Sequence, residues 1–409
     1  MQRRWPTIIA LWLIGVLAAA QLAKLATIAP VLRVRYDLSL SQTGLLISLL
    51  EIGGGLFGFA AGLALLWISI RRSLIVGSAI LALTSLAEAV APNATTLFAA
   101  RTIEGIGYLL VVIAAPTAIA AIAEDRERGR ALALWSSFVP VGIAVGSAIA
   151  AVGVPVLGIQ GILLLWASLL AMTLVPVFRL RLGTDSVQRM TLPAPAAWIS
   201  TLAFGLYTLF LCALTMLLPT FLIAEHGASL GQAGFVASVA ALSALPASGV
   251  AMLMMRQGAM PPLRLLTTAL PALVGTAMLV PLGLGGAFGL SATAFLLVAA
   301  VMLSGIVPPL MFARLPVLAG ANGPHDPRIA TANGLLTQFG AAGALIGPPL
   351  GGLIVEGYGW AALGLVVALL ALAMLALVGM AEWIAMRSTR TDRRHYNMPQ
   401  SPIRGGGAR

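Results

Sequence analysis

Long apolar runs recur along this chain of 409 residues and limit its fold to very few architectures. Each run of about 20 residues can cross roughly 30 Å of hydrocarbon as a helix. Because backbone amides cannot stay unpaired in lipid, such runs form either helices or the strands of a closed barrel. The residue-by-residue alternation that a barrel requires is not seen, and only 9% of the residues are charged. The sequence therefore predicts an all-α membrane protein.

Twelve such runs divide into two groups of six. The stretch "RLRLGTDSVQRMTLPAP" separates the two groups, and it is polar and ends in prolines, as is typical of a linker. We predict an amino-terminal six-helix bundle at 1–178, a cytoplasmic linker at 179–195, a carboxy-terminal six-helix bundle at 196–386, and a disordered basic tail at 387–409. The predicted spans are 7–30, 42–68, 73–91, 95–122, 132–154, 158–178, 196–223, 231–255, 263–283, 289–316, 329–355 and 359–384.

The positive charges are unevenly divided between the two ends of the predicted bundle. The net charge is +11, and of the loop arginines only Arg33 and Arg35 fall on the side away from the termini. An excess of arginine marks the cytoplasmic loops of inner-membrane proteins. We therefore expect a multi-pass protein of the cell inner membrane with both termini cytoplasmic. The basic excess favours anionic lipid headgroups at that face rather than nucleic acid.

The two halves of the chain resemble each other in one stretch. "RALALWSSFVPVGIAVG" (130–146) aligns with "TANGLLTQFGAAGALIG" (331–347) at a constant offset. The alignment pairs Phe138 with Phe339, Gly142 with Gly343, and Gly146 with Gly347. Weak internal symmetry is typical of transporters built from repeats. The alternative is chance, because helices rich in small residues look alike.

Motifs in the fourth and eleventh spans carry a resemblance to a known family. "RTIEGIGY" begins at Arg101, and "GALIGPPLGG" begins at Gly343. They resemble the Arg-x-x-Gln-Gly-x-Gly and Gly-x-x-x-Gly-Pro-x-x-Gly-Gly elements of the major facilitator superfamily, with Glu104 in place of the glutamine. After the second span, Leu66 replaces the acid of that family's cytoplasmic signature. Within the family, the sequence is most similar in character to the cyanate and 2-nitroimidazole permeases.

The resemblance implies two pseudo-symmetric six-helix bundles that move a solute by alternating access. It also implies that the second and eleventh helices meet across the two halves, where small residues allow the backbones to approach closely. The residues that we expect at this interdomain contact are Gly55, Gly58, Gly62, Gly343, Gly347, Pro348 and Gly351.

Four charged residues lie deep within the predicted spans. Lys24, which is the only lysine in the chain, lies in the first span, Glu51 lies in the second, and Arg101 and Glu104 lie in the fourth. We expect spans three, six, nine and twelve to carry no charge at that depth. One hypothesis is that the two cations and two carboxylates cancel in a buried network that fixes the amino-terminal bundle. The other is that the pairing is incomplete, so that an anionic solute can replace a carboxylate.

The second hypothesis predicts a binding site and a coupling site. A lysine exchanges its partners more readily than an arginine does, and Glu51 and Glu104 are the candidate proton-coupling residues, because burial and neighbouring cations act oppositely on a carboxylate. Arg314 is expected to extend to the membrane interface. The predicted solute-binding residues are Lys24, Gln21, Arg101, Tyr108, Tyr207, Asn333 and Gln338.

The leading functional hypothesis is a secondary active transporter that moves a small anionic solute by proton symport. A proton-coupled exporter of drugs or metabolites is the alternative. A membrane-embedded enzyme or scaffold is a third class, which the sequence disfavours because it has no catalytic pair and no metal-ligand cluster. We accordingly predict no enzymatic activity, no cofactor and no metal. The expected partners are a small solute and protons, and the expected state is a monomer.

Overall fold

The structure is a computed structural model, and every regular element that it describes is a helix. The described residues are 4–64, 69–123, 131, 134–135, 137–179, 191–254, 261–321 and 326–396. A 3₁₀ turn at Leu49–Glu51 joins the second and third helices. The helices are α1 (Arg4–Tyr36), α2 (Leu40–Ser48), α3 (Ile52–Ala64), α4 (Ile70–Ala89), α5 (Ala94–Ile122), α6 (Phe138–Arg179), α7 (Pro195–His226), α8 (Leu230–Leu242), α9 (Ala244–Met254), α10 (Pro262–Leu284), α11 (Leu290–Ser304), α12 (Val307–Leu318) and α13 (Pro327–Tyr396).

Twelve helical segments in the described ranges are suited to crossing a membrane. Ten stretches are long and apolar enough, and two of them, in α6 and α13, are hairpins that count twice. Gly158 in α6 and Gly359 in α13 adopt positive φ angles of 69° and 81°, which glycine tolerates and other residues rarely do. In α6 the chain then folds back, so that Ile162 lies against Gly153. The predicted all-α membrane fold is confirmed.

The last helix is longer than the predicted twelfth span. It continues to Tyr396, into the segment for which we predict a disordered tail. Residues 397–409, and most of the predicted linker, lie outside the described residues.

The buried apolar side chains form separate cores in the two halves of the chain. Three of the cores consist almost entirely of side chains from α1–α6, and the other two consist almost entirely of side chains from α7–α13. Among the described residues, Leu40 and Met216 are the only buried members that belong to a core of the other half. Two bundles with their own cores are able to move relative to each other, because such motion leaves each core intact.

The closest contact between the halves runs along α2, α3 and α13, and we call it the seam. A Cβ atom added at Gly44 would lie 2.3 Å from the carbonyl oxygen of Pro348, and one added at Gly58 would lie 3.1 Å from Cα of Gln338. Gly55 similarly faces the backbone of Ala342. Three of the predicted interdomain residues, Gly55, Gly58 and Pro348, therefore lie at the seam. The surroundings of Gly62 are outside what the structure describes.

The prediction that Gly343, Gly347 and Gly351 contact the other half is wrong. Added Cβ atoms at Gly343 and Gly347 would lie 2.1 Å from the oxygen of Gly205 and 2.3 Å from that of Leu209, both in α7 of the same half. These three glycines form a stripe at intervals of four residues, and the seam uses the neighbouring face of α13. The stripe thus fixes the carboxy-terminal bundle internally.

The predicted repeat accounts for this arrangement. Gly142 and Gly146, the partners of Gly343 and Gly347 in the alignment, pack on α1 at Val16 and Ala20. The same glycines of each half therefore hold the fifth helix of a bundle against its first. This equivalence of contacts supports an origin of the alignment in duplication.

The halves also meet at the end of the bundle opposite the start of α1. We call this the far end and the other the terminal end. At the far end the backbone N–H of Ser41 donates a 2.9 Å hydrogen bond to Oε1 of Glu356 in the other half. Nearer the middle of the bundle, the hydroxyl of Ser238 in α8 donates to the carbonyl of Ala144 in α6 at 3.1 Å. Separation of the two halves at this side would break both contacts.

Substituting Gly44→Ala should loosen closure of the far end. The added methyl group would stand 2.3 Å from a backbone oxygen, which cannot move aside. The measurement is the rate at which a membrane-impermeant maleimide labels Thr27→Cys in a chain that also carries Cys212→Ala. Thr27 is fully buried and faces Gly234 of the other half. We expect the labelling rate to rise several-fold.

Gly249→Ala is the matched control, because nothing lies within 4 Å of a Cβ atom added there. This variant should be labelled at the parent rate. Equal rates in the two alanine variants would contradict a tight seam at Gly44.

Candidate functional site

The ammonium group of Lys24 is completely buried and has three partners. Its Nζ atom lies 2.6 Å from Oε2 of Glu88 and 2.8 Å from Oε1 of Glu104. Nζ donates hydrogen bonds to Glu104 and, at 2.7 Å, to the hydroxyl of Ser85, and its contact with Glu88 is an ion pair.

The guanidinium group of Arg101 is buried beside this cluster. Its Nη1 donates to Oε2 of Glu104 at 2.5 Å. Its remaining bonds go to backbone carbonyls. Nη2 binds the oxygens of Gln21 and Ile47, at 2.8 Å and 2.9 Å, and Nε binds that of Leu46 at 3.1 Å. Arg101 thereby ties α5 to α1 and α2.

The 3₁₀ turn at Leu49–Glu51 explains why these carbonyls accept from an arginine. In a 3₁₀ turn each N–H bonds three residues back instead of four. Carbonyls just before the change of pattern lose their regular donors, and buried carbonyls need others. The guanidinium group of Arg101 donates to the carbonyl oxygens of Leu46 and Ile47 in place of the missing backbone N–H groups. The break in the second span and the buried arginine therefore depend on each other.

Lys24, Glu88, Arg101 and Glu104 together form what we call the charge network. It holds two cations and two carboxylates, so its formal charge is zero. All four side chains are buried. Ser85 links the network to Gln21, since its hydroxyl donates to Oε1 of Gln21 at 3.3 Å. Burying paired charges of this kind is tolerable only when hydrogen bonds satisfy them.

The expectation that span three carries no charge at the depth of Lys24 is wrong. Glu88, in the last turn of α4, is 2% exposed and lies against Lys24. Glu382, near the end of the predicted twelfth span, is also buried within the protein. The longer α1 extends past this point, and the hydroxyl of Tyr36 donates to the carbonyl of Ala91. Sequence reasoning missed Glu88, although Ser85 and Glu88 share a helix face and Lys24 required partners.

Arg314 does not extend to the membrane interface as we expected. It is 6% exposed, and it binds both carboxylate oxygens of Glu382, at 2.9 Å and 2.5 Å. The carboxy-terminal bundle thus has a buried ion pair of its own, between α12 and α13. Because Glu382 in the last span lies within reach, Arg314 forms an ion pair with it instead of extending to the membrane interface.

Glu51 stands apart from the charge network. It is half-buried at the 3₁₀ turn, and the hydroxyl of Tyr108 is its hydrogen-bond partner. Its Oε2 lies 3.5 Å from the position of a Cβ added at Gly54, where Ala341 of the other half also contacts the helix. Within the described residues, no lysine or arginine lies within ion-pair distance of this carboxylate.

The other predicted solute-binding residues are dispersed. Tyr108 and Tyr207 are buried, and the hydroxyl of Tyr207 interacts with Ser304. Gln338 belongs to the seam, because its Oε1 accepts from the backbone N–H of Phe59 at 3.3 Å. Asn333 is exposed. The structure therefore brings Lys24, Gln21 and Arg101 together with Glu104 and does not join them to the residues of the carboxy-terminal half.

This conformation leaves no surface of Lys24 or Arg101 to a solute, because both side chains are fully buried. Among the described residues, no group of three or more His, Cys, Asp or Glu side chains is placed to hold a metal ion.

Comparison with known proteins relates the chain to a family of transporters. A family model described as the Major Facilitator Superfamily matches residues 11–323. Over 162 residues the chain is 32% identical to the methylenomycin A resistance protein of Streptomyces coelicolor, a match spanning 38% of this chain and 32% of that protein.

The fold is similar to two solved structures of a bacterial homologue of the human lysosomal transporter Spinster. These are inward-facing structures, one unoccupied and one occupied. Each has a TM-score of 0.67 at 15% identity, and the alignment covers 98% of this chain and 100% of that one. At this identity the likeness establishes the shared fold.

Replacing Lys24 should destabilise the protein. Lys24→Met leaves Glu88 and Glu104 buried without their ammonium, which costs on the order of 3–5 kcal/mol. The double substitution Lys24→Met with Glu88→Gln removes one uncompensated charge and should recover part of that loss. The measurement is the free energy of unfolding by denaturant in detergent micelles.

Arg314→Met is the matched control, because it breaks a buried ion pair in the other bundle. Its loss of stability should be unaffected by Glu88→Gln. If Lys24→Met were as stable as the parent chain, the pairing of Lys24 would be refuted.

Proposed function

The chain belongs to the major facilitator superfamily, and we propose that it is a proton-coupled exporter of an uncharged organic solute. The observation that supports this most is the place of Glu51, a carboxylate at the seam without an ion-pair partner among the described residues. We also propose the inner membrane as its location and a cytoplasmic position for both termini, since the arginine distribution favours that orientation.

Glu51 has the properties of a residue that exchanges protons during transport. A half-buried carboxylate beside a neutral hydroxyl is only weakly held in its charged form. The 3₁₀ turn that carries it is a conformational break in a helix of the seam, and such breaks often serve as hinges. When the halves move, the contact with Ala341 changes and so does the environment of the carboxylate. Its affinity for a proton would change with it.

The charge network argues for an uncharged solute. The hypothesis of anion symport rested on incomplete pairing of Lys24. In the described conformation the ammonium has three partners, and the network already contains one carboxylate for each cation. A solute anion entering there would leave an excess negative charge in an apolar interior, which is costly. The alternative of export is therefore favoured.

The exposure of the central helices is consistent with a path at the terminal end. Ile9 and Leu13 of α1 are 44% and 47% exposed, and Trp198 and Leu202 of α7 are 40% and 42% exposed. Toward the far end, by contrast, every residue at 18–29 of α1 is buried. A path lined by such apolar side chains suits a largely apolar solute. Tyr108, Tyr207, Asn333 and Gln338 remain the proposed polar contacts near it.

The similarity to a resistance protein adds support for export, although it covers only about a third of that protein. The name of that relative describes its own role. For this chain, export and the class of the solute are proposals.

Glu51→Gln should abolish transport driven by a pH gradient while leaving solute exchange at equilibrium. The substitution removes the group that binds the proton and preserves its shape. The measurement is the flux of protons and of a neutral probe, chloramphenicol, in proteoliposomes with an imposed pH gradient. Benzoate serves as the anionic probe. We expect proton flux opposite in direction to chloramphenicol flux, and no response to benzoate.

Glu225→Gln is the control, because Glu225 is an exposed acid at the far end. It should behave as the parent chain does. Proton flux that followed benzoate in the same direction would instead support anion symport. Unaltered gradient-driven transport in Glu51→Gln would exclude Glu51 from coupling.

A further inference from the structure

The two carboxylates of the charge network are held unequally. Glu104 receives one bond from Lys24 and another from Arg101, so both of its oxygens face a cation. Among the described residues, Glu88 forms an ion pair only with Lys24, and it shares that ammonium with Glu104 and Ser85. Both of its oxygens are buried and neither has a hydrogen bond of good geometry, although Oε2 lies 2.6 Å from Nζ of Lys24. A buried carboxylate oxygen without a donor is costly, and binding a proton removes most of that cost.

Glu88 is also the member of the network nearest to the far-end terminus of its helix. It lies in the last turn of α4, which ends at Ala89, and the next residue, Val90, is 61% exposed. One helical turn spans about 5 Å. Lys24 and Glu104 lie farther from their helix ends at that side. A proton that reaches the network from the far end therefore meets Glu88 first.

The helices that pack against Glu88 carry other ionisable groups, any of which could change charge in its place. Lys24 faces it from α1, and Glu104 and Arg101 face it from α5. The hydroxyl of Tyr36, also from α1, is already engaged with the carbonyl of Ala91. α6 packs on α4 as well, and its one ionisable residue, Arg179, ends that helix at the terminal end.

We propose that Glu88 is a second proton-binding residue of the transporter, which on protonation releases Lys24 and loosens α4 from α1. The step forms one O–H bond with a proton from water at the far end, and the ammonium keeps its three protons. The network then carries one positive charge in place of none. Lys24 keeps Glu104 as its only ionised partner, so the link between α1 and α4 is weakened.

This proposal rests on the proposed function, because a proton-binding residue at the far end matters only to a proton-coupled carrier. It adds a residue on a helix that faces away from the seam. Glu51 would respond to movement of the halves, whereas Glu88 would respond to the pH at the far end. Two such sites let proton binding and conformational change alternate.

The first test needs no solute. Infrared spectra of the purified full-length protein in lipid nanodiscs are recorded while the pH is varied, and the absorption of protonated carboxyl groups is followed. Glu88→Gln should remove one titrating component, and Glu51→Gln should remove a different one. Glu382→Gln is the matched control for loss of a buried acid, because both oxygens of Glu382 are held by Arg314, and the component that Glu88→Gln removes should remain in its spectra. A titration of Glu88→Gln identical to that of the parent chain would overturn the proposal.

The second test separates a proton switch from a purely structural pair. Labelling of Thr27→Cys by an impermeant maleimide is divided at each pH by the labelling of an exposed reference cysteine, which corrects for ionisation of the thiol. This ratio should change with pH when Glu88 is present, and it should stay at its low-pH value in Glu88→Gln, because the amide imitates the protonated acid. Glu88→Asp keeps a titrating group and should retain the pH dependence with a displaced midpoint. Loss of stability in Glu88→Gln with unchanged pH dependence would show that the pair is only structural.

The two proposals fail in different ways. If chloramphenicol flux proves independent of protons while Glu88 titrates, the proposed function fails and the proton-binding residue remains. If transport is proton-coupled but Glu88→Gln leaves the spectra unchanged, the function remains and this inference fails.

Discussion

The ammonium of Lys24 has to be neutralised where it lies, and that requirement organises the amino-terminal bundle. An unpaired charge in an apolar interior costs far more than a folded protein can supply. Glu88 and Glu104 meet the ammonium from α4 and α5, and Arg101 meets Glu104 in turn. Arg101 also donates hydrogen bonds to the carbonyl oxygens of Leu46 and Ile47, just before the 3₁₀ turn. The charge network therefore also stabilises the break in the second span. Four helices are therefore positioned by one charge and the groups it requires.

Glu51 gains its distinct character from being outside this arrangement. The two cations of the network are already neutralised by its two carboxylates, so neither cation is available to pair with Glu51. Glu51 instead rests at the seam beside Tyr108, on the segment whose conformation Arg101 maintains. Within the network, Glu104 is held by both cations and maintains the frame of the bundle. Under the two proposals, Glu51 responds to movement of the halves and Glu88 responds to the pH at the far end.

The sequence predicts much of this fold because lipid leaves few alternatives. Apolar runs require helices, and glycines at intervals of four residues indicate that another helix packs closely against them. The glycine pattern does not identify which helix that is. That is why Gly343 and Gly347 were placed at the seam while they pack on α7. The pairing of buried charges was equally hard to predict, since Glu88 lies near the end of its predicted span and Arg314 was expected to extend to the membrane interface. Both depend on the lengths and tilts of neighbouring helices, which a single span does not encode.

A cryo-electron microscopy map of the protein in a lipid nanodisc, at a resolution that shows the Lys24 side chain, tests the account most directly. The account predicts that Nζ is held between the carboxylates of Glu88 and Glu104, near the hydroxyl of Ser85, with no open space beside it. A map in which the side chain turned from these acids toward a solute-filled space between the halves would contradict it. In that case the positive charge would belong to the transport path, and the solute would be an anion.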